Sequence, residues 1–179
     1  MSLKIITTPH PILREKSKPI KKIDRRIKAL VREMILLLAK GPEGKRRGAG
    51  LSAVQTGKPL RLFITYLPQK KDYQVYINPQ IISKSRKMIK KAKWLEGCLS
   101  IPALYGSVKR HLKITIAYQD LTGKKLKEEF SGFLSTVIQH EYDHLEGTLF
   151  TDRLLKQNRP IYRLEETAEG PRLVEISFQ

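Results

Sequence analysis

The sequence is poor in several features that would each indicate a particular class of protein. Its 179 residues include a single cysteine, Cys98, which excludes an internal disulfide framework and fits a reducing compartment. No apolar run approaches the roughly 20 residues that are needed to span a bilayer. Residues 1–17 lack the apolar region of a signal peptide. These absences predict a cytoplasmic globular protein that does not associate with a membrane.

Acidic residues are also scarce, but only in one half of the chain. The sequence has 35 Lys and Arg against 17 Asp and Glu, a net charge of +18. Residues 1–93 carry a net charge of +19 and residues 94–179 carry −1. A basic surface attracts polyanions such as nucleic-acid phosphates, but it equally keeps a protein soluble, and composition does not decide between the two. Six basic residues fall within ten positions: Lys84, Arg86, Lys87, Lys90, Lys91 and Lys93.

Hydrophobic periodicity predicts an α+β fold built mainly on antiparallel sheet. Asp24 can cap a helix with apolar residues at helical spacing, and Gly41 ends it. A second helix is predicted from Phe133 to Gly147. Because strands and helices do not alternate as βαβ units and no linker divides the chain, residues 1–179 are expected to form one domain. Strands are predicted at residues 60–67, 73–78, 111–118, 126–130 and 173–176.

The strongest local motif is His140-Glu141-Tyr142-Asp143-His144, inside the second predicted helix. Residues four apart share one face of a helix, so both imidazoles can reach one metal ion. Glu141 lies beside them, where it can exchange a proton with water. The alternative is a solvated polar face, but two of only four histidines in the chain fall here. The motif therefore predicts a metal site on a central helix.

The histidine pair leaves the third ligand of a catalytic metal undecided. In a well-known protease motif a third histidine follows six residues after the second, but here Phe150 occupies that position. His10 and His111 lie in a proline-rich opening and at a strand start, where surface or packing roles are the simpler interpretation. Cys98, within Glu96–Ser100, is the better candidate, although a lone cysteine is more often a small buried hydrophobe.

Three short motifs, in a fixed order along the chain, resemble those of the peptide deformylase family. The first, Gly48–Gln55, is a glycine-rich loop that ends in glutamine. The second is Glu96–Ser100 and the third is Gln139–Leu145. Each is weak alone, whereas three in order are specific. The resemblance implies an enzyme that removes the formyl group from N-formyl-methionine at the N-terminus of newly synthesised proteins.

The resemblance also implies a metal cofactor and partners. Cys98, His140 and His144 would hold one divalent ion and leave one position open. In this family the ion is typically Fe²⁺, but Zn²⁺, Ni²⁺ or Co²⁺ suit the same ligands, so the ligand types do not choose among them. The substrate would be a formyl-Met nascent polypeptide, and the basic N-terminal half could then contact ribosomal RNA.

Catalytic and substrate-binding roles follow from the same resemblance. The Gln55 side chain and the backbone N–H of Leu99 would stabilise the oxyanion, and Glu141 would carry a proton from water to the departing amine. A peptide that binds as an added strand must approach the backbone closely, which small residues permit. The residues expected beside the peptide are Gly48, Ala49, Gly50 and Gly97. Candidates for a methionine pocket are Trp94, Phe133 and Val137.

Two features depart from the family pattern. Ser52 stands where the family usually has alanine, which adds a hydroxyl to the first motif. Residues 41–47 form a longer and more basic stretch than is expected before that motif. The second difference concerns the entrance to the site and leaves the catalytic groups unchanged.

Two other functions fit parts of the sequence. An HExxH metallopeptidase shares the chemistry, but it lacks an identifiable Glu or His as third ligand and leaves the cysteine and glutamine motifs unexplained. A basic RNA-binding protein could carry a structural metal, but structural sites usually have four protein ligands. Hydrolysis of a formyl-Met peptide, compared with cleavage of an internal peptide bond, discriminates between these functions.

Overall fold

The computed structural model describes residues 3–41, 48–89 and 94–176, and the strands in these ranges form two sheets in which every pair is antiparallel. The α+β prediction is confirmed. One sheet has the order β1 (Gly50–Ser52), β2 (Leu62–Leu67), β3 (Asp72–Lys84), β6 (Lys113–Gln119) and β7 (Lys125–Ser131). The other has the order β4 (Glu96–Cys98), β5 (Ile101–Gly106), β8 (Ile161–Thr167) and β9 (Gly170–Ile176).

The first helix, α1 (Arg25–Lys40), begins and ends at the predicted residues. The Asp24 carboxylate accepts hydrogen bonds from the N–H groups of Arg26 and Ile27, at 2.9 and 3.1 Å. These bonds satisfy two of the N–H groups that a helix start leaves without partners. Gly41 ends the helix at a φ of 66°, a backbone conformation that glycine adopts readily.

The motif helix, α2 (Gly132–Leu145), packs on the five-stranded sheet, most extensively against β1 and also against β2 and β7. Every residue from Ser135 to Glu141 is buried, so little of its surface meets solvent. A helix that is enclosed in this way does not need an apolar stripe on one side, and polar residues can face a site inside the protein. The helix ends two residues before the predicted Gly147.

Several elements escaped prediction or differ from it. The strands β1 and β4 have only three residues each, too few for a visible alternation, and β5, β8 and the helix α3 (Phe150–Lys156) were also missed. The strand predicted at 73–78 continues through Pro79 to Lys84, because the register shifts between Ile77 and Gln80. A bulge of this kind accommodates a proline, which cannot donate a ladder hydrogen bond.

The buried apolar side chains form three clusters that surround α2. One packs α1 on β1 and β2, through Val31, Leu51 and Ile64. A second lies around α3, and the third packs α2 on β2, β3 and β6. In the described ranges, no helix combines the length and apolar character needed to cross a bilayer.

Candidate metal centre

Three residues with metal-ligating side chains converge between the two sheets. His140 and His144 project from one face of α2, and Cys98 is the last residue of β4. One ligand atom from each lies within 4.8 Å of the others. The Cys98 Sγ is 3.2 Å from the Nε2 of His144. The sequence motifs therefore come together at one point, although Cys98 is more than forty positions away along the chain.

A buried carboxylate orients one of the two imidazoles. The Nδ1 of His140 lies 3.0 Å from Glu96 Oε2. An ionised carboxylate only accepts hydrogen bonds, so Nδ1 carries the proton and Nε2 keeps its lone pair for a metal ion. Burial alone would raise the pKa of Glu96, but hydrogen bonds from Arg110 and His140 outweigh it and lower the pKa to about 2. Glu96 is therefore ionised at neutral pH.

Arg110 holds this carboxylate in place from behind. Its Nε and Nη2 donate to the two oxygens of Glu96, each at 2.8 Å. Its Nη1 donates to Asp143 Oδ2 at 2.6 Å, and Asp143 also binds Arg153. Arg110, Glu96 and Asp143 are all buried. A buried guanidinium with charge-assisted bonds to two carboxylates fixes β4 against α2, the two elements that carry the candidate ligands.

The donor set and its surroundings fit a cation. His144 Nδ1 is a buried nitrogen without a hydrogen-bond partner among the described residues. Burial lowers the pKa of His144 well below its usual value, which keeps the ring neutral as a ligand must be. Burial also acts to lower the pKa of His140, but bonds with Cys98 and Glu96 raise it overall. The thiol and the Glu96 carboxylate therefore favour a positive charge at this point, which a metal ion would supply in place of a second proton on His140.

Glu141 lies next to the ligand cluster but faces the first motif. Its Oε2 accepts a hydrogen bond from the Ser52 hydroxyl at 2.7 Å. Burial raises the pKa of Glu141 to about 7. A Cβ added to Gly50 would lie 2.5 Å from the other oxygen, Oε1. The absence of a side chain at Gly50 therefore leaves room for the carboxylate of Glu141, a role that the sequence did not predict.

Gln55 presents its amide nitrogen to the cluster. Its Oε1 accepts from the backbone N–H of Ser52 at 2.9 Å, which fixes the direction of the amide. Its Nε2 donates to Ser100 Oγ at 3.1 Å and lies 3.6 Å from Cys98 Sγ. The other expected donor, the backbone N–H of Leu99, directly follows Cys98 in the turn between β4 and β5. Both donors thus lie beside the candidate ligands.

The remaining glycines of the motifs also make room for their neighbours. A Cβ at Gly48 would lie 2.5 Å from Leu38 Cδ1, and one at Gly97 would lie 2.8 Å from the ring of Tyr105. The expected contact of these glycines with a peptide is a separate matter and stays a prediction. Internal packing already explains why a larger residue is unsuitable.

Two sheet edges border the cluster. β1, which follows Ala49, is one edge strand of the five-stranded sheet, and β4 is one edge strand of the other. The carbonyl of Ala49 accepts from the N–H of Tyr66 at 2.9 Å, so that side of the segment is already paired. Among the described strands, β1 pairs only with β2 and β4 only with β5. An extended peptide could therefore pair with either free edge.

Two of the residues expected to form an apolar pocket, Phe133 and Val137, lie in the first half of α2, and the third, Trp94, lies just before β4. The rings of Trp94 and Phe133 meet edge to face, with centroids 5.5 Å apart. They are 40% and 44% exposed, whereas Val137, one turn further along α2, is buried. Residues 133, 137, 140 and 144 share one helix face. The apolar side chains of Phe133 and Val137 therefore lie on the same face of α2 as the candidate ligands His140 and His144.

The two other histidines have different partners. His10 Nδ1 accepts from the N–H of Ile12 at 3.2 Å at the start of a short 3-10 helix. His111 Nδ1 lies 2.8 Å from the carbonyl of Ser85. Neither belongs to the cluster of candidate ligands.

Sequence reasoning missed the residues that support the site. Glu96 and Asp143 stand inside two of the motifs, but the sequence predicts no role for them or for Arg110. Acidic residues at fixed places inside two ligand motifs were the available signal. Their common partner could not be inferred, because nothing local connects Arg110 to either carboxylate.

A thiol and two imidazoles around one point, beside a buried glutamate and an amide donor, form a group that could hold a metal ion, as in metal-dependent hydrolases. Comparison with known proteins agrees. The profile of the family described as polypeptide deformylase matches residues 2–160. A peptide deformylase from Novosphingobium aromaticivorans is 37% identical over 186 residues, covering 90% of this chain and 95% of the relative.

Further relatives give the same result. A peptide deformylase from Chlorobaculum parvum is 40% identical over 164 residues, covering 89% of this chain and 83% of its own. The crystal structure of peptide deformylase from Thermotoga maritima has a TM-score of 0.77 at 32% identity, over 86% of this chain and 97% of that one. The chain belongs to the polypeptide deformylase family. It is a hydrolase that removes the formyl group from the N-terminal formyl-methionine of nascent proteins.

Proposed function

We propose that Cys98, His140 and His144 hold one divalent metal ion, Fe²⁺ in the cell, and that this centre catalyses deformylation in the cytoplasm. The observation that carries the proposal is the convergence of the three ligand atoms within 4.8 Å. Three protein ligands leave one position open, as catalysis requires and a structural site does not. We take residues 1–179 as one catalytic domain.

The bound ion would polarise the formyl carbonyl and lower the pKa of a water molecule. Glu141 accepts the proton of that water at Oε1, the oxygen not bonded to Ser52, as the water oxygen forms a bond to the formyl carbon. The Gln55 Nε2 and the N–H of Leu99 donate to the oxygen that becomes negatively charged. Glu141 then delivers its proton to the amide nitrogen as the C–N bond breaks. The products are formate and a peptide with a free amino group.

The substrate lies between the two sheet edges. Its backbone pairs with β1 near Gly50 or with β4 near Gly97, which brings the N-terminus to the ligand cluster. The methionine side chain enters the apolar region of Trp94, Phe133 and Val137. The open edges of β1 and β4 among the described strands support this placement.

The function is tested by the products that the native protein releases. Protein purified without oxygen and with its metal content measured is given a formyl-Met tripeptide. One formate and one free amine should appear per turnover, with both internal peptide bonds intact. Removal of the metal by a chelator should stop the reaction, and Fe²⁺ should restore it best among Fe²⁺, Zn²⁺, Ni²⁺ and Co²⁺. Cleavage of an internal bond would instead indicate a metallopeptidase.

Replacement of Gln55 by leucine should lower kcat by roughly 10²–10³-fold, the usual effect of removing one oxyanion donor. Leucine has a similar volume but cannot donate a hydrogen bond, so metal content should stay at the parent level. Steady-state kinetics on a formyl-Met dipeptide and metal analysis measure the two effects. A variant with parent activity would exclude the Gln55 amide from catalysis.

We also propose that the basic N-terminal half contacts ribosomal RNA while the enzyme acts on nascent chains. Lys84 and Lys87 are exposed at the end of β3 and just after it, and support the proposal. Arg86, between them, is exposed as well. The remaining basic residues of the run 84–93, Lys90, Lys91 and Lys93, lie outside the described residues, as do Lys45, Arg46 and Arg47 of the basic stretch 41–47. Affinity for ribosomes should therefore fall steeply as salt is added, because phosphate contacts release counterions.

The RNA contact is tested by co-sedimentation with ribosomes at several salt concentrations. Replacing Lys84 and Lys87 by glutamine should weaken binding and leave hydrolysis of a free formyl-Met dipeptide unchanged. The matched control replaces Lys124 and Lys125, two exposed lysines in the near-neutral half. Equal loss in both double variants, or no binding at low salt, would show that the basic half does not dock on RNA.

A further inference from the structure

Ser52 contacts both of the proposed proton-handling and oxyanion groups. It is fully buried at the end of β1. Its hydroxyl lies 2.7 Å from Glu141 Oε2 and 3.0 Å from the backbone oxygen of Glu141. Its backbone N–H donates to Gln55 Oε1 at 2.9 Å. One residue of the first motif thus contacts both side chains that are proposed to act at the ligand cluster.

The carboxylate is the stronger partner for the serine hydroxyl. A hydroxyl has one proton to donate, and a bond to an ionised oxygen is stronger than one to a neutral carbonyl. The shorter of the two distances also leads to the carboxylate. A buried hydroxyl costs free energy unless it is hydrogen-bonded. This bond therefore explains how a fully buried position accepts serine where the family usually has alanine.

The contacts on its two sides restrict the Glu141 carboxylate to one orientation. Oε2 is bound by Ser52, and the space left by the missing Cβ of Gly50 receives Oε1. Rotation about the last side-chain bond would break the hydrogen bond with Ser52, except for a half-turn, which only exchanges two equivalent oxygens. The free oxygen is therefore held in one place.

We propose that Ser52 is a positioning residue for deformylation: its hydroxyl holds Glu141 so that Oε1 faces the water molecule that reacts. This inference rests on the proposed role of Glu141. The backbone N–H that orients Gln55 is present with any residue except proline. A change of the Ser52 side chain therefore isolates the contact with Glu141 and leaves the contact with Gln55 in place.

The competing role for Ser52 is structural. The residue precedes the 3-10 helix Ala53–Thr56 in the position where a cap stands, and serine is a favoured cap. Loss of a cap lowers the free energy of unfolding but has no reason to lower kcat. Ser135 offers a matched control, because it is also a fully buried serine, and its hydroxyl bonds the backbone oxygen of His111 at 3.0 Å.

Ser52→Ala should lower kcat roughly 10-fold, with KM and metal content unchanged, because a charge-assisted bond that orients the reacting group is lost. Ser135→Ala should lower the thermal midpoint without lowering kcat. Addition of Ser52→Ala to the Glu141→Ala variant should cause no further loss of its residual rate. The same experiments measure kcat, KM, metal content and thermal midpoint for every variant.

Two results would overturn the inference. One is parent kcat in Ser52→Ala with only a lower thermal midpoint, which is the result expected of a cap. The other is an equal fold-loss from Ser52→Ala whether or not Glu141 is present, which would show that the serine acts through something else. Failure of the proposed function has a different signature, because Glu141→Ala would then keep parent activity whatever occupies position 52.

Discussion

Replacement of Glu141 by glutamine is expected to lower kcat by roughly 10²–10⁴-fold, the range that positioned proton transfer contributes, while the metal content stays at the parent level. Glutamine has the same shape as glutamate, and its side chain can still meet the Ser52 hydroxyl. It cannot accept a proton from water at neutral pH. The carboxylate faces Ser52 and Gly50, outside the set of three converging ligand atoms, so its loss should not release the ion.

A second variant separates the chemistry of Glu141 from its packing. Glu141→Ala removes the buried side chain next to Gly50 and should lower both kcat and the thermal midpoint, whereas Glu141→Gln should lower kcat alone. Turnover of a formyl-Met dipeptide, metal analysis and thermal unfolding of both variants distinguish the effects. Activity within a few-fold of the parent in Glu141→Gln would remove this residue from proton transfer.

The parts of the fold that the sequence predicted are those specified by local interactions. The cap at Asp24 and the end at Gly41 are set by residues in contact with their own neighbours along the chain. The spacing of His140 and His144 places two candidate ligands on one helix face without any contribution from tertiary structure. These features need only a stretch of contiguous sequence, and the structure has them at the predicted positions.

The parts that escaped prediction depend on contacts between distant segments. β4 has three residues and is a strand because β5 pairs with it. Arg110 bonds two carboxylates from different segments, Glu96 in β4 and Asp143 in α2. A lone buried charge would be very costly, and only the completed network makes this one stable. The hydrophobic periodicity of the sequence cannot predict that Arg110 pairs with Asp143, which is 33 residues away.

Gly50 of the first motif also has a contact with a distant segment that the sequence could not predict. The sequence suggested that Gly50 makes room for a peptide, but its missing Cβ makes room for Glu141 Oε1. The two functions are compatible, since a residue can leave space on one side and expose its backbone on the other. The internal contact could not be foreseen, because the glutamate that fills the space is 91 positions further along the chain.

Replacement of Cys98 by alanine is expected to abolish both metal binding and activity. The chain contains no other cysteine that could replace the thiolate. His140 and His144 alone offer two neutral nitrogens, and the thiolate is the negatively charged ligand of the set. The carboxylate of Glu96 is already bound by Arg110, and Glu141 does not belong to the set of converging ligand atoms. No side chain of the site is therefore free to take the place of the thiolate.

Metal content per chain and its effect on unfolding measure this result without relying on turnover. An ion that binds only the folded state raises the thermal midpoint, so added Fe²⁺ or Ni²⁺ should stabilise the parent and not Cys98→Ala. Cys98→Asp supplies a negatively charged oxygen and should recover part of the metal content, with a weaker preference for soft ions. Cys98 is half-buried at the end of β4, and Gln55 Nε2 retains Ser100 as a partner, so the variant should still fold. Full occupancy in a folded Cys98→Ala protein would place the third ligand elsewhere.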